Sequence, residues 1–266
     1  MRTTLAAALP WRRSLCPALL LACSAARAAS LLIFGETHDQ PDQQRQVAQT
    51  VEQRAQAGTL AAVVIEMAER PHTTAGLPRD ATEAQARAAL HWQGWEWPDY
   101  AAVVMNAVRA GVPVLGGNLP RAQLRAAMQD ASLDATLDPA TLARIADAVR
   151  IGHCDLLPAA QLPGMVRVQI ARDRAIAEVA AAAARAAPAD ATVLLLTGAQ
   201  HAARDRGVPR QLAGIDPTLP VHVVLFGEPT PGLQADEHRA AVVTPQPDHC
   251  ESLRHKLPAP KPASAP

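Results

Sequence analysis

The sequence has few aromatic residues and no excess of charge. Of its 266 residues only 3% are Phe, Trp or Tyr, and 25 basic residues balance 25 acidic ones. A nucleic acid partner requires a basic surface, which this composition does not provide. The chain is nevertheless 49% hydrophobic, which is enough for one full-sized domain with a buried core.

A membrane-spanning run is also lacking, although the first 28 residues are basic and then apolar. Three arginines precede "LCPALLLACSAARA", which is too short to span a bilayer as a mature helix. The pattern predicts an export signal over residues 1–28, and therefore a protein of the periplasm or of the bacterial envelope. Two processing routes stay open. One is cleavage after Ala28, where Ala26 and Ala28 have the spacing that signal peptidase needs, and the other is lipidation at Cys23, where "LLAC" ends. Without the leader the chain is mildly acidic, which again excludes nucleic acid.

Cysteine is scarce as well. Cys16 and Cys23 fall in the leader, so Cys154 and Cys250 are the two that remain. In an exported chain they meet an oxidising compartment, and we predict that they form one disulfide. The alternative is two unpaired, buried thiols.

Short apolar runs recur along the chain and predict strands buried on both faces. They lie at residues 31–34, 61–67, 112–117, 192–198 and 220–227, with a weaker sixth at 240–245. Proline opens helix-like segments at Pro41 and Pro98, which glycines close at Gly58 and Gly111. The order strand, helix, strand predicts an α/β fold in which helices flank a mostly parallel sheet.

We predict a single domain over residues 29–256 with a smaller helical lobe inserted in it. The lobe is expected at about 121–187, because that stretch is rich in alanine, arginine and leucine and has no strand-like run. The Pro- and Ala-rich tail, 257–266, is expected to be disordered.

Polar residues follow several of the predicted strands at their carboxyl ends. Parallel strands end along one edge of a sheet, where ligands bind, so Glu36, His38, Glu66 and His201 are expected to gather there. Carboxylates with imidazoles suit a divalent metal site or general acid and base catalysis. The alternatives are that Glu36 offsets a helix dipole and that His201 is an ordinary loop residue.

The few aromatic residues are concentrated in "WQGWEWPDY", which holds Trp92, Trp95, Trp97 and Tyr100. Such a cluster predicts a flat apolar surface for a planar ligand or a protein partner. The alternative is a corner in which tryptophans fill space between packed helices.

Several sequence blocks together resemble the ChaN family of haem-binding lipoproteins. These blocks, over residues 30–254, are "GETHD", "IEM", "GWEWPDY", "NLPR", "HCDLLPAAQLPGMVRVQIARD" and "TGAQHAARDRGVP". The resemblance implies an exported α/β protein that binds haem and is linked to iron or haem uptake. Whether it is an enzyme stays open, with a non-enzymatic role as the first expectation. Envelope haem or iron transport proteins are then expected partners, and a homodimer that sandwiches haem stays open.

The same blocks are similar to the wider TraB/Tiki and erythromycin esterase group. Residues 35–38 and 198–201 look like the GExH and GxxH elements of that group, which serve metal-dependent proteolysis in the Tiki branch. This resemblance implies the alternative function, a metal-dependent hydrolase in which Glu36, His38, Glu66 and His201 hold a divalent metal and activate water. A third option is a scaffold that docks a membrane transporter through its tryptophans.

One departure from the family pattern concerns a histidine pair expected soon after "GETHD". Glutamines stand there, Gln43 and Gln44, and an amide does not replace imidazole as a strong ligand of a transition metal or haem iron. The remaining candidates for the axial haem ligand are His38, Tyr100, His153, His201, Met67 and Met165. Arg121 and Arg204 are candidates to pair with the haem propionates, and Trp95 and Trp97 to cover the ring.

Overall fold

The computed structural model describes residues 28–256 as six strands, nine α-helices and short 3₁₀ turns. The predicted leader, up to residue 27, and the predicted tail at 257–266 lie outside the described residues. The strands are β1 (Ser30–Glu36), β2 (Leu60–Glu69), β3 (Val114–Asn118), β4 (Thr192–Gly198), β5 (Val221–Phe226) and β6 (Glu237–Arg239). The helices are α1 (Pro41–Gln56), α2 (Glu83–Ala89), α3 (Trp97–Ala110), α4 (Leu124–Gln129), α5 (Pro139–Gly152), α6 (Leu162–Ala186), α7 (Ala199–Ala202), α8 (Val208–Ile215) and α9 (His249–Lys256).

The six strands form one parallel sheet in the order β3-β2-β4-β1-β5-β6, which confirms the predicted α/β class. Strand β4 lies between β1 and β2, although it follows them by more than a hundred residues. Residues of β1 therefore pair with β4 on one side, as Phe34 does with Leu196, and with β5 on the other. This order brings the ends of β1, β2 and β4 next to one another.

Helices cover both faces of the sheet, so its central strands are buried on both sides. Phe34 belongs to the core beneath α1 and α3, whereas its neighbour Ile33 belongs to the core beneath α6 and α8. Both side chains have no exposed surface. Continuous apolar runs arise because each face of a covered parallel strand must pack against a helix.

The chain between β3 and β4 forms α4, α5, α6 and short 3₁₀ turns, which we call the helical lobe. It has its own core, in which Ile145 of α5 packs with Leu133 and with Ile170 of α6. Helix α6 runs on from this core to the sheet, where Ile176 is fully buried. The long helix thus fixes the lobe beside the carboxyl edge of the sheet.

The prediction of a weak sixth strand at 240–245 is wrong. The edge strand β6 ends just before this segment. Residues 240–246 instead follow α1: the Gln40 amide donates to the carbonyl of Thr244 (2.9 Å) and accepts from its amide (2.8 Å), and Val242 N–H donates to Asp42. The predicted strand does not form, because the backbone of Val242 and Thr244 bonds to side chains at the start of α1 and not to a neighbouring strand. Val242 and Val243 are consequently exposed.

The predicted disulfide between Cys154 and Cys250 is confirmed, with the two Cα atoms 5.5 Å apart. It joins α9 to the turn that follows α5. Across residues 28–256, none of the helices combines the length and the apolar character that crossing a bilayer requires.

Candidate functional site

The predicted polar residues do meet at the carboxyl edge of the sheet. Glu36 ends β1, Glu66 lies in β2, and Gly198 ends β4 between them. A Cβ atom on residue 198 would come 3.0 Å from Nε2 of His38 and 3.6 Å from Oε2 of Glu66. Glycine is needed at this position because a larger residue would push the histidine away.

Glu36 is the centre of the first half of the site. Its Oε1 accepts hydrogen bonds from the Tyr100 hydroxyl (2.7 Å) and from Nδ1 of His38 (2.9 Å), and its Oε2 accepts one from the Gln44 amide (2.7 Å). Burial raises the pKa of Glu36, although the bonds from His38 and Tyr100 act against the rise. The carboxylate is thus held by three side chains in a site closed to water.

The His38 pKa is raised as well. Burial acts against its charged form, but the hydrogen bond to Glu36 and the charge of Glu66 outweigh that effect. The imidazole therefore gains from two buried carboxyl groups, those of Glu36 and Glu66. Its other side faces the ring of Trp95, with the ring centroids 4.6 Å apart.

The two glutamines at the expected histidine positions hold this half of the site together. Gln43 accepts a hydrogen bond from the N–H of Thr37 (2.7 Å), which fixes the loop after β1. Gln44 donates to Glu36, while its own Oε1 is buried with no hydrogen-bond partner among residues 28–256. The amides therefore act as structural hydrogen-bond groups in this chain.

Glu66 is the centre of the second half. Its Oε1 accepts from Arg172 (2.6 Å), and its Oε2 accepts from the Thr197 hydroxyl (2.7 Å) and the Gly198 N–H (2.8 Å). Burial alone would raise the pKa of Glu66, but the charges of His201 and Arg172 lower it to about 2. Glu66 is therefore ionised over the whole physiological range.

His201 is buried beside Glu66 and is oriented by Asp173. Its Nδ1 donates to Oδ1 of Asp173 (2.6 Å), and its Nε2 lies 3.5 Å from Oε1 of Glu66. Burial raises the pKa of Asp173, and the neighbouring His201 and Arg172 act against that rise. The sequence reasoning did not name Arg172 and Asp173 as site residues, although they end the block "HCDLLPAAQLPGMVRVQIARD" that resembles the family.

A divalent metal site does not emerge from this arrangement. Within residues 28–256 no group of three or more His, Cys, Asp or Glu side chains is placed to hold a metal ion. The reason is that both oxygens of Glu36 and both of Glu66 already accept hydrogen bonds from protein donors. In this arrangement Glu36, His38, Glu66 and His201 therefore do not form a site for a divalent metal.

An open cleft of about 370 Å³ lies beside this polar cluster, between β2, the loop after α2 and the helical lobe; we call it the Trp95 cleft. Its apolar lining comes from Met67, Trp95, Leu119, Leu124, Met165 and Val168. Its polar lining comes from Glu66, Glu69, His72, His91, Gln93, Asn118, Arg121 and Arg172, with the backbone of Gly94 at the rim. Its rim is exposed at His91, Gln93, Gly94 and Arg121, so a flat molecule can enter from solvent.

The aromatic cluster divides between this cleft and the protein core. Trp95 lines the cleft, whereas Trp97 is buried, donates its indole N–H to Glu83 (2.7 Å) and packs edge to face with Trp92. Tyr100 is buried with only 2% exposure. The binding-surface interpretation thus fits Trp95, and the helix-packing interpretation fits the other aromatic residues.

The remaining sequence candidates lie in several places. Met67, Met165 and Arg121 line the Trp95 cleft. His153 lies in a separate cavity of about 180 Å³, and its Nδ1 donates to the carbonyl of Val149. Arg204 is paired with Asp236 and is not part of the cleft lining. The structure adds two cleft residues that the sequence reasoning did not name, His72 and His91.

These features define a class of protein: an α/β domain with a parallel sheet, a buried polar cluster at its carboxyl edge and an adjacent cleft beneath a helical lobe. Residues 22–212 match the family described as haem-binding uptake, Tiki superfamily, ChaN. Since this match spans most of the chain, the protein belongs to that family.

Among solved structures, the chain is similar to one described as cofacial haem binding to ChaN of Campylobacter jejuni. The TM-score is 0.64 at 20% sequence identity, covering 79% of this chain and 86% of that one, which establishes a shared fold. The type III effector HopBA1 is 14% identical over 80% of this chain and 87% of its own, but its TM-score of 0.44 is too low to carry an argument. A sequence comparison with curated proteins finds no match.

Proposed function

We propose that this protein binds haem in the Trp95 cleft and that it serves haem or iron uptake at the bacterial envelope. The proposal is carried by the chemistry of the cleft, which combines a flat indole, an apolar lining and a cation at the rim beside an open entrance. Membership of the haem-binding uptake family supports the same conclusion. A bound haem supplies an iron that requires at least one axial ligand.

Trp95 is suited to lie against the porphyrin. Its ring packs against the ring of His38. It also makes an edge-to-face contact with Tyr100, with the centroids of the Trp95 and Tyr100 rings 6.1 Å apart. Its carbonyl accepts the indole N–H of Trp92 (2.9 Å), which fixes the backbone as well. A ring held in this way loses little freedom on binding, which favours affinity.

Arg121 is suited to pair with a propionate. Its side chain is 64% exposed, and its Nε lies 3.7 Å from Oε1 of Glu69. At this distance the pair is loose, so the guanidinium can still donate hydrogen bonds to a second carboxylate. A Cβ atom on residue 94 would come 2.5 Å from Nη2 of Arg121, so glycine at this position lets the guanidinium lie over the backbone. The guanidinium therefore stands at the entrance of the cleft.

The buried polar cluster at the base of the cleft has a positioning task in this proposal. Arg172 is neutralised by Glu66, and Nε of the same guanidinium donates to Asn118 (3.0 Å). These bonds tie α6 of the lobe to β2 and β3. The cluster thus fixes the lobe against the sheet at the base of the cleft.

A haemin titration of residues 29–266, followed in the Soret region, tests the proposed function. We expect a saturable, red-shifted band, with weaker affinity in Arg121→Gln and in Trp95→Ala. Arg125→Gln is the matched control, because Arg125 is an exposed arginine one turn further on and outside the cleft lining. A spectrum no different from that given by an unrelated apolar protein would overturn the proposal.

We propose further that the protein is exported, either as a soluble periplasmic protein or with a lipid on Cys23, and works with envelope haem or iron transport proteins. The basic and apolar leader and the disulfide between Cys154 and Cys250 support export. We also propose that two copies face one another across haem, because the cleft is open on its outer side. Mass measurement of the purified protein with and without haemin distinguishes a haem-dependent dimer from a monomer.

A further inference from the structure

We propose that His72 supplies the axial ligand of the haem iron and that His91 positions its ring. This inference rests on the proposed function, and it names a residue of the same cleft. His72 and His91 both line the Trp95 cleft, and their rings stand edge to face with centroids 5.0 Å apart and planes at 79°. They are the two imidazoles among the residues that line this cleft.

The other imidazoles near the carboxyl edge are already engaged. Nδ1 of His38 donates to Glu36, and Nδ1 of His201 donates to Asp173. Moving either ring onto a haem would strip a buried carboxylate of its partner, which is costly. In the described part of the chain, by contrast, the ring of His72 makes contact with His91 and has no hydrogen bond to give up.

The backbone of His72 is fixed, which makes its ring a prepared ligand. Its N–H donates to the carbonyl of Glu69 (3.1 Å), and its carbonyl accepts from the N–H of Gly116 (2.8 Å). The residue is therefore held between β2 and β3, and only its side-chain torsions remain to be set. A ligand on a rigid element holds a metal more precisely than one on a free loop.

His91 sets those torsions through its ring contact. It follows the end of α2 in a left-handed conformation, with φ 49°, which is uncommon for a residue with a side chain. Its Nε2 lies 2.7 Å from the amide nitrogen of Gln93, which donates to it. That lone pair is therefore occupied, so His91 is suited to orient the ring of His72 and not to bind the iron itself.

Optical and EPR spectra of ferric haem bound to the 29–266 protein test this assignment. We expect the parent protein to show imidazole coordination and His72→Ala to lose it, with added imidazole restoring the spectrum by entering the space left by the side chain. His72→Gln, which keeps a polar side chain of similar length, is expected to lose the signature as well. His222→Ala, which removes an exposed histidine of β5, is the matched control and keeps it.

The positioning role of His91 has its own readout. His91→Ala is expected to retain imidazole coordination while weakening haemin affinity several-fold, and His91→Phe, which keeps the edge-to-face contact, restores much of that affinity. Circular dichroism of each variant verifies that it is folded.

The two proposals fail in distinguishable ways. Saturable haem binding with an unchanged spectrum in both His72 variants would overturn the assignment of the ligand and leave haem binding intact. Absence of saturable binding in the parent protein would overturn the proposed function, and the ligand assignment with it.

Discussion

Nδ1 of His38 lies 2.9 Å from Oε1 of Glu36, so the imidazole after β1 occupies the place at which a cation would neutralise the carboxylate. On the other side of His38 stands Glu66, which is buried and ionised. The edge of the sheet is thus neutralised by the protein's own imidazole and guanidinium groups.

The first prediction concerns pH and His38. Because its pKa is raised on folding above the reference value of 6.5, the folded protein holds a proton that the unfolded chain releases first. The stabilising contribution of His38 is therefore complete at pH values below its pKa in the unfolded chain. It is lost as pH rises through the pKa of His38 in the folded protein. Urea unfolding should show that His38→Gln costs more free energy at pH about 6 than at pH about 9.

An exposed histidine provides the control for this experiment. His222→Gln removes an equivalent ring from the surface of β5 and is expected to cost little at either pH. A cost of His38→Gln that grows with rising pH would contradict the direction of the shift.

The second prediction concerns Glu66→Gln, which leaves the Arg172 guanidinium, 26% exposed, without its carboxylate. Because water still reaches part of this guanidinium, we expect a loss of about 1–3 kcal/mol at neutral pH, below the cost of breaking a fully buried pair. The pKa of Glu66 is lowered to about 2, so its contribution is complete above the unfolded value of 4.5 and is lost as pH falls through the folded value. The difference between parent and variant should therefore shrink as pH falls from 4.5 towards 2.

Denaturant titrations of Glu66→Gln and of Glu228→Gln measure this effect against a matched surface change. Glu228 is exposed, so its neutralisation should change the free energy of unfolding little. A Glu66→Gln variant as stable as the parent at neutral pH would show that the pair with Arg172 does not hold the site together.

The third prediction concerns the only tyrosine of the chain. Tyr100→Phe removes the hydroxyl that donates to Glu36 while it keeps the ring that packs on Trp92. We expect a loss of about 1–3 kcal/mol, since a buried carboxylate loses one of its three donors. In a Glu36→Gln background the same change should cost less, and a double-mutant cycle measured by urea unfolding detects that coupling.

The fourth prediction concerns the disulfide, which joins residues separated by 96 positions. Closing a long loop restricts the unfolded chain, so Cys250→Ser is expected to cost about 2–4 kcal/mol. Hydrogen exchange should rise in the segment 240–248, which runs between β6 and the bridge. Two alkylatable thiols in the native, unreduced protein would contradict the pairing.

The positions of β1, α1 and α3 could be predicted because their signals are local. The apolar run at 31–34 lies within β1, and the prolines at 41 and 98 lie at the starts of α1 and α3. Gly111 ends α3 in the left-handed conformation, with φ 76°, that glycine adopts without strain. The run at 240–245 misled because an apolar stretch alone does not reveal that its backbone bonds to the side chains of Gln40 and Asp42.

The cleft could be predicted less well than the polar cluster. Glu36, Glu66 and His201 were found because parallel strands end at one edge, whatever their order. Asp173 and His72 were missed because neither follows a predicted strand directly. Asp173 reaches the site from a long helix, and His72 reaches the cleft from the turn that follows β2, where its backbone is bonded to Glu69 and Gly116.

The sequence by itself determined the class of fold and the gathering of carboxylates with imidazoles, since these follow from local periodicity and from the common direction of parallel strands. It also determined the disulfide, because only two cysteines lie outside the leader. Only the tertiary structure decided what those groups do. By inserting β4 between β1 and β2 and laying α6 across the edge, it paired Glu66 with Arg172 and His201 with Asp173. The physical reason is burial: a charged group removed from water takes the nearest partner, and partners distant in sequence become neighbours only when the chain has packed.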